Sequence, residues 1–163
     1  MKQNLKIDGW HNNLTFSSSH LIIDHHHCGR LHGHTYAVSL YLKGHATKDG
    51  MIVDFSVLKT FLREIIATLD HKLLIPAHDT THIKESNNTI HIQTDSKSYQ
   101  IPKEDCVLLP IPQTTAEYLS RYLLQTLLGR YSPPKNVELI SLGISEGPGQ
   151  SAWSSHNNEG CTS

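Results

Sequence analysis

The segment Cys28-Gly29-Arg30-Leu31-His32-Gly33-His34, with His20 eight residues before the cysteine, sets three imidazoles beside a thiol. If His32-Gly33-His34 opens a strand, side-chain alternation sends both imidazoles to one face, where a single divalent ion can accept both. His20 can supply a third nitrogen. Three neutral imidazoles suit zinc and leave its fourth tetrahedral position open, which distinguishes a catalytic site from a closed structural one. Two other readings compete. Cys28 could be a fourth ligand of a purely structural site, although such sites generally draw on two or more thiolates. A chain with 13 histidines also places some pairs by chance, and the internal run His25-His26-His27 could be a polar loop, a proton-transfer aid or an alternative ligand set.

Further candidates surround this motif. A metal, Arg30 and neighbouring histidines would favour the Cys28 thiolate, the form that acts as base or nucleophile. Asp70-His71 pairs a carboxylate with an imidazole that it can orient for proton transfer, although a histidine at a helix end would look the same. Glu146 ends an apolar strand just before Gly147-Pro148-Gly149, where a carboxylate can face a pocket and meet the paired N–H groups of a heterocycle. Thr114-x-x-Glu117 fits a capping box, and Asp54 fits a helix N-cap.

The chain of 163 residues suits one α+β domain, residues 1–163, with a core of useful size. A net charge of −1 gives no basic stripe for nucleic acid and no block for a membrane surface. Met1 to Asn13 lacks the apolar run of a secretory signal, and no stretch is long enough to span a bilayer. Three cysteines are too few for a disulfide framework, so reduced thiols and a cytoplasmic location are expected. Cys106 reads as a small buried hydrophobe and Cys161 as part of a polar tail.

The elements that must position these groups follow from periodicity. Leu14 to Ser18 and Thr35 to Lys43 read as strands flanking the histidine motif, and Met51-Ile52-Val53, after the Asp49-Gly50 turn, as a hairpin partner. Asp54 starts a helix with apolar residues Phe55, Leu58, Phe61, Leu62, Ile65, Ile66 and Leu69, delivering Asp70-His71 at its end. Residues 78–106 read as an inserted polar hairpin. A second helix carries Leu119, Leu123, Leu124, Leu127 and Leu128, and Val137 to Ser145 is the last core strand. Helices on one face of an antiparallel sheet leave exposed sheet edges, which ring-like association would remove.

Taken in order, Phe16-Ser17-Ser18-Ser19-His20, Cys28-x-x-x-His32-Gly33-His34, Gly50-Met51-Ile52-Val53-Asp54-Phe55, Leu69-Asp70-His71, Thr115-Ala116-Glu117 and Glu146 resemble the 6-pyruvoyl- and 6-carboxy-tetrahydropterin synthase family, over residues 14–150. The resemblance implies a tunnelling fold, with a four-stranded antiparallel sheet and two helices, that trimerises into a β-barrel and stacks as a homo-hexamer. It implies one Zn2+ per subunit on His20, His32 and His34, and a lyase acting on 7,8-dihydroneopterin triphosphate at a site between subunits. Cys28 would be the base, Asp70 and His71 a second proton-transfer pair, and Glu146, Thr115 and Glu117 the pterin pocket. Three residues between Cys28 and His32 are similar to the carboxy branch, which feeds 7-deazaguanine (queuosine or archaeosine) synthesis. Animal pyruvoyl enzymes typically have five, and a branch forming hydroxymethyl pterin typically has Glu at the cysteine position. The insertion and the His25 to His27 run depart from the family pattern.

Overall fold

β3, His32–His45, is the strand on which the architecture is built. Its residues Tyr36, Val38, Leu40 and Leu42 alternate along one face and are fully buried. A strand with such a face must be covered by helices and flanked by other strands. The computed structural model describes residues 1–158 of the chain and shows both. β9, Val137–Gly147, runs antiparallel along one edge of β3, and β10, Gln150–Asn157, folds back on β9. The other edge is shared end to end. β2, Thr15–His20, pairs with His32 to Ala37, and β1, Lys2–Ile7, pairs with Leu40 to His45. Between β1 and β2 the chain presses against β3 so closely that a Cβ on Gly9 would lie 2.4 Å from the Val38 carbonyl oxygen. Only glycine fits there.

The expected strand at Met51 to Val53 does not form. Thr47 N–H donates to Met51 O at 2.8 Å, closing a turn, and β1 already occupies the edge of β3 that this segment would have paired. Ile52 is nevertheless buried, and its carbonyl accepts from Asn136 Nδ2 at 2.9 Å.

Two helices cover the apolar face. α1, Phe55–Ala67, starts at Asp54, whose Oδ1 accepts from Ser56 N–H at 2.7 Å, and buries Leu58, Leu62, Ile65 and Ile66. α2, Ala116–Arg130, buries Leu119, Leu123, Leu124 and Leu127 in the same core. Its N-cap is Thr115, one residue later than the expected capping box, because Thr114 is fully buried with its hydroxyl turned to Leu21 O. Glu117 therefore lies in the first turn of α2 without reaching back as a box partner.

The sheet extends past β2 by parallel pairing, first to β4, Lys72–Pro76, and then to β8, Cys106–Leu109. The result is an α+β fold with a seven-stranded mixed sheet, larger than the four antiparallel strands expected. Residues expected to form one polar hairpin make a separate three-stranded antiparallel sheet of β5 (Ile83–Ser86), β6 (Thr89–Gln93) and β7 (Ser98–Pro102). Ile90 and Ile92 of β6 pack with Leu21, Ile23, Leu73 and Ile75 into a second core. β4 thus serves two cores, Leu74 facing the helices and its neighbours the small sheet. Cys106 packs half-buried at the margin of this second core, with its thiol turned to Pro102 O. Cys161 lies outside the described residues.

Ile75 is fully buried in the second core. Ile75→Ala is expected to lower stability by about 2–5 kcal/mol, the cost of lost burial plus a cavity. Urea unfolding followed by circular dichroism checks this, and a loss below about 1 kcal/mol would show that the small sheet closes over the gap.

Candidate metal centre and active site

The register of β2 on β3 brings the histidines together. His20 is the cross-strand partner of His32, and Ser18 that of His34, so His20, His32 and His34 project from the same face. Their ligating atoms all lie within 4.8 Å of one another, and this is the one such group among the described residues. Cys28 is not part of it. Gly33 permits the approach, since a Cβ there would crowd Ser18 O at 3.2 Å and push β2 from β3.

Hydrogen bonding fixes how the imidazoles present themselves. His20 Nδ1 donates to Thr114 O at 2.9 Å, and His32 Nδ1 donates to Arg30 O at 2.7 Å. A carbonyl only accepts, so both Nδ1 atoms carry the proton and both Nε2 atoms present lone pairs. These two Nε2 atoms are 3.1 Å apart. With no proton to share they repel, and a cation between them converts repulsion into coordination. His34 Nε2 is also buried and without a partner. Ligands about 2.0–2.1 Å from a tetrahedral zinc stand roughly 3.3 Å apart, close to the spacing seen. Burial drives the His20 pKa down to about 4, opposed by the Thr114 carbonyl and aided by the proximity of the His32 and His34 rings. A neutral, carbonyl-oriented imidazole is the form that ligates a metal. The donor set therefore fits zinc.

Sequence reasoning missed Thr114 as the group that orients His20, having assigned it to a helix cap. It also missed Tyr36. This residue continues the alternation of His32 and His34, is fully buried, stacks on Phe16 at 4.9 Å, and has a hydroxyl without a partner. Its ring lies edge-on to His34 at 5.5 Å and to His20 at 6.1 Å. Gln113 Oε1, next to Thr114, is a further buried acceptor without a partner.

Cys28 is half-buried in the loop between β2 and β3. Its N–H donates to His25 Nδ1 at 3.0 Å and its carbonyl accepts from Ile22 N–H at 2.8 Å, so His25 of the histidine run shapes the turn that presents the thiol. Glu146, half-buried near the end of β9, lies one step beyond the pair Ala37–Ser145, and its charge acts on the Tyr36 phenol. That puts it on the face of the triad.

Asp70 and His71 sit elsewhere. Asp70 Oδ1 accepts from Ser17 N–H at 2.8 Å, and Oδ2 meets His71 Nδ1 at 3.0 Å. The Ser17 N–H and His71 together hold the Asp70 carboxyl below its usual range. His71, exposed and with φ of 59°, borders a cavity of about 600 Å3 with Ser17, Ser19, Gly33, His34 and Asp105. Neither Cys28 nor Glu146 lines that cavity. Thr115 spends its hydroxyl on capping α2, and Glu117 is exposed beside a groove between α2 and β10. One chain therefore gathers the triad and Glu146 on one face but does not bring Cys28, Glu146 and the Asp70–His71 pair around a common cavity.

In metal-stripped protein the low His20 pKa has a definite linkage sign. The unfolded imidazole takes a proton near pH 6.5 and the folded one near 4, so the unfolded state binds more protons between them. Stability is complete above about pH 6.5 and falls as pH drops toward 4, by roughly 3 kcal/mol. Thermal melts across this window should show the fall, and His20→Asn should flatten it; an unchanged slope would place the loss on other groups.

A model of the family described as 6-pyruvoyl tetrahydropterin synthase matches residues 11–157. A Methanocaldococcus jannaschii protein, provisionally named 6-carboxy-5,6,7,8-tetrahydropterin synthase, is 39% identical over 152 residues, covering 91% of this chain and 93% of its own. The Haemophilus influenzae protein named 6-carboxy-5,6,7,8-tetrahydropterin synthase is 31% identical over 120 residues, covering 69% of this chain and 77% of its own. Among solved structures, Plasmodium vivax 6-pyruvoyltetrahydropterin synthase, in a variant with a catalytic glutamate replaced by alanine, superposes with a TM-score of 0.88 at 31% identity, over 97% of this chain and 99% of the other. With the family model spanning nearly the whole chain, the α+β fold shared with these structures and relatives above 30% identity, this chain belongs to the 6-pyruvoyl tetrahydropterin synthase family.

Proposed function

We propose that the chain is a zinc-dependent carbon–carbon lyase that converts 7,8-dihydroneopterin triphosphate and water to 6-carboxy-5,6,7,8-tetrahydropterin, releasing acetaldehyde and triphosphate, in a cytoplasmic route to 7-deazaguanine nucleosides of tRNA. The observation that carries this reading is the three-histidine cluster with its Nε2 lone pairs converging, in a chain whose relatives include proteins named for this product.

His20, His32 and His34 would hold the ion, with Thr114 and Arg30 carbonyls fixing the first two rings. The ion would supply Lewis-acid polarisation of the substrate's side-chain hydroxyls. Cys28 removes the proton so acidified, and the turn closed by His25 holds its backbone for that task. Glu146 accepts the ring N–H and amino groups of the pterin, aligning the side chain with the triad. Thr115 and Glu117 border the pterin pocket from the start of α2. Asp70 keeps the His71 ring oriented as the second proton-transfer group. Because Cys28 does not line the cavity that His71 borders, the complete site forms between subunits of a hexamer, with Asp70 and His71 of one chain meeting Cys28 of another.

A second reading, formation of 6-pyruvoyl-tetrahydropterin by the same residues, draws on the close superposition with the Plasmodium vivax enzyme. Incubating zinc-loaded protein with 7,8-dihydroneopterin triphosphate, with mass spectrometry of the pterin and an acetaldehyde assay, separates the two. Acetaldehyde with the carboxy product supports the first; a pyruvoyl pterin without acetaldehyde establishes the second; no turnover rejects both. Cys28→Ala is expected to reduce turnover at least 100-fold while retaining one zinc per chain. Loss of zinc with activity would make Cys28 a metal ligand instead.

A further inference from the structure

Tyr36 and Glu146 face each other across β3 and β9, one step beyond the Ala37–Ser145 pair, and among the described residues neither has a polar side-chain partner. The phenol hydroxyl is buried without a hydrogen bond. Among the described residues the Glu146 carboxylate enters no ion pair or side-chain hydrogen bond, and its residue is half-buried. A buried hydroxyl left unpaired is costly, so a fully buried tyrosine where phenylalanine would fill the same space asks for an acceptor. Phe16 stacked on the ring and His34 and His20 edge-on to it limit the ring's movement, which fixes where the hydroxyl lies. Glu146 is the anionic acceptor whose charge reaches it. A phenol keeps its proton at neutral pH and is therefore a donor.

We propose that Tyr36 is the positioning residue of Glu146: its buried hydroxyl donates to one carboxylate oxygen and turns the other toward the ligand bound beside the histidine triad. The bond requires the Glu146 side chain to turn toward the phenol that lies opposite it, one step beyond the Ala37–Ser145 pair. Tyr36 touches no substrate and acts through the carboxylate, which gains a fixed orientation before a heterocycle arrives. This inference rests on the reading of Glu146 as the pterin anchor.

The test is a fluorescence titration of neopterin onto zinc-loaded wild type, Tyr36→Phe, Glu146→Gln and the double variant, with zinc content measured for each. Tyr36→Phe removes one oxygen and preserves volume, so it is expected to fold, with a melting temperature unchanged or slightly lowered by the loss of one hydrogen bond. It should bind neopterin about 10-fold more weakly with zinc content unaltered, the loss typical of one hydrogen bond to a charged group. In the Glu146→Gln background the same change should cost less than about 2-fold, because the two residues act as one unit. Unchanged affinity in Tyr36→Phe, or equal losses in both backgrounds, would overturn the proposal. If wild type itself does not bind neopterin, the pterin reading fails, and the pair is judged alone by a crystal structure of the wild type. There, a Tyr36 Oη to Glu146 carboxylate distance of about 2.5–2.7 Å sustains the contact, and a phenol without it rejects the contact.

Discussion

Two imidazole lone pairs pointed at each other 3.1 Å apart are the constraint that organises this molecule. Each is aimed by a backbone carbonyl on the far side of its ring, one beside His32 in the chain and one at the start of α2. The sheet sets their separation through the β2–β3 register, and the helix sets the tilt of His20 through Thr114. Moving any of these elements would misdirect a lone pair. The site and the packing of α2 against the sheet are in this sense one structure.

Much of that centre was legible in the sequence, for physical reasons. Period-two alternation put His32 and His34 on one face, and the short link from β2 made His20 their cross-strand neighbour. The apolar run into Glu146 marked a strand end. Thr114 was not legible as a partner of His20, because any residue but the chain's last has a backbone carbonyl to offer and a sequence carries no mark of which one is used. The two adjacent threonines fit a cap equally well, and only the burial of Thr114 decides between them. Tyr36 read only as part of the Thr35 to Lys43 strand, since its unpaired hydroxyl exists only once the surroundings are assembled.

The same reasoning accounts for the strands that went unseen. β1 offers only Leu5 and Ile7 as apolar residues, and β10 is mostly serine, histidine and asparagine around Trp153. Their pairing is won by backbone hydrogen bonds to β3 and β9, to which side-chain periodicity is blind. β4 and β8 are short and pair in parallel, so no turn in the sequence announces them. The three-stranded sheet was half visible in Ile90 and Ile92, whose burial against Leu73 and Ile75 shows that this region shares a core with the stem of the Cys28 loop.

The placement of all three imidazoles on β2 and β3 also has a consequence in time. A hairpin linking residues 15–45 closes a short loop, and such local pairing forms early. The Thr114 carbonyl, by contrast, arrives from 94 residues away. During synthesis the ligands emerge together long before the helix that orients His20 exists, so an ion captured by the nascent hairpin would pin its register while the remaining strands search for theirs. Supply of an ion that this triad can hold would then bear on how the chain reaches its fold.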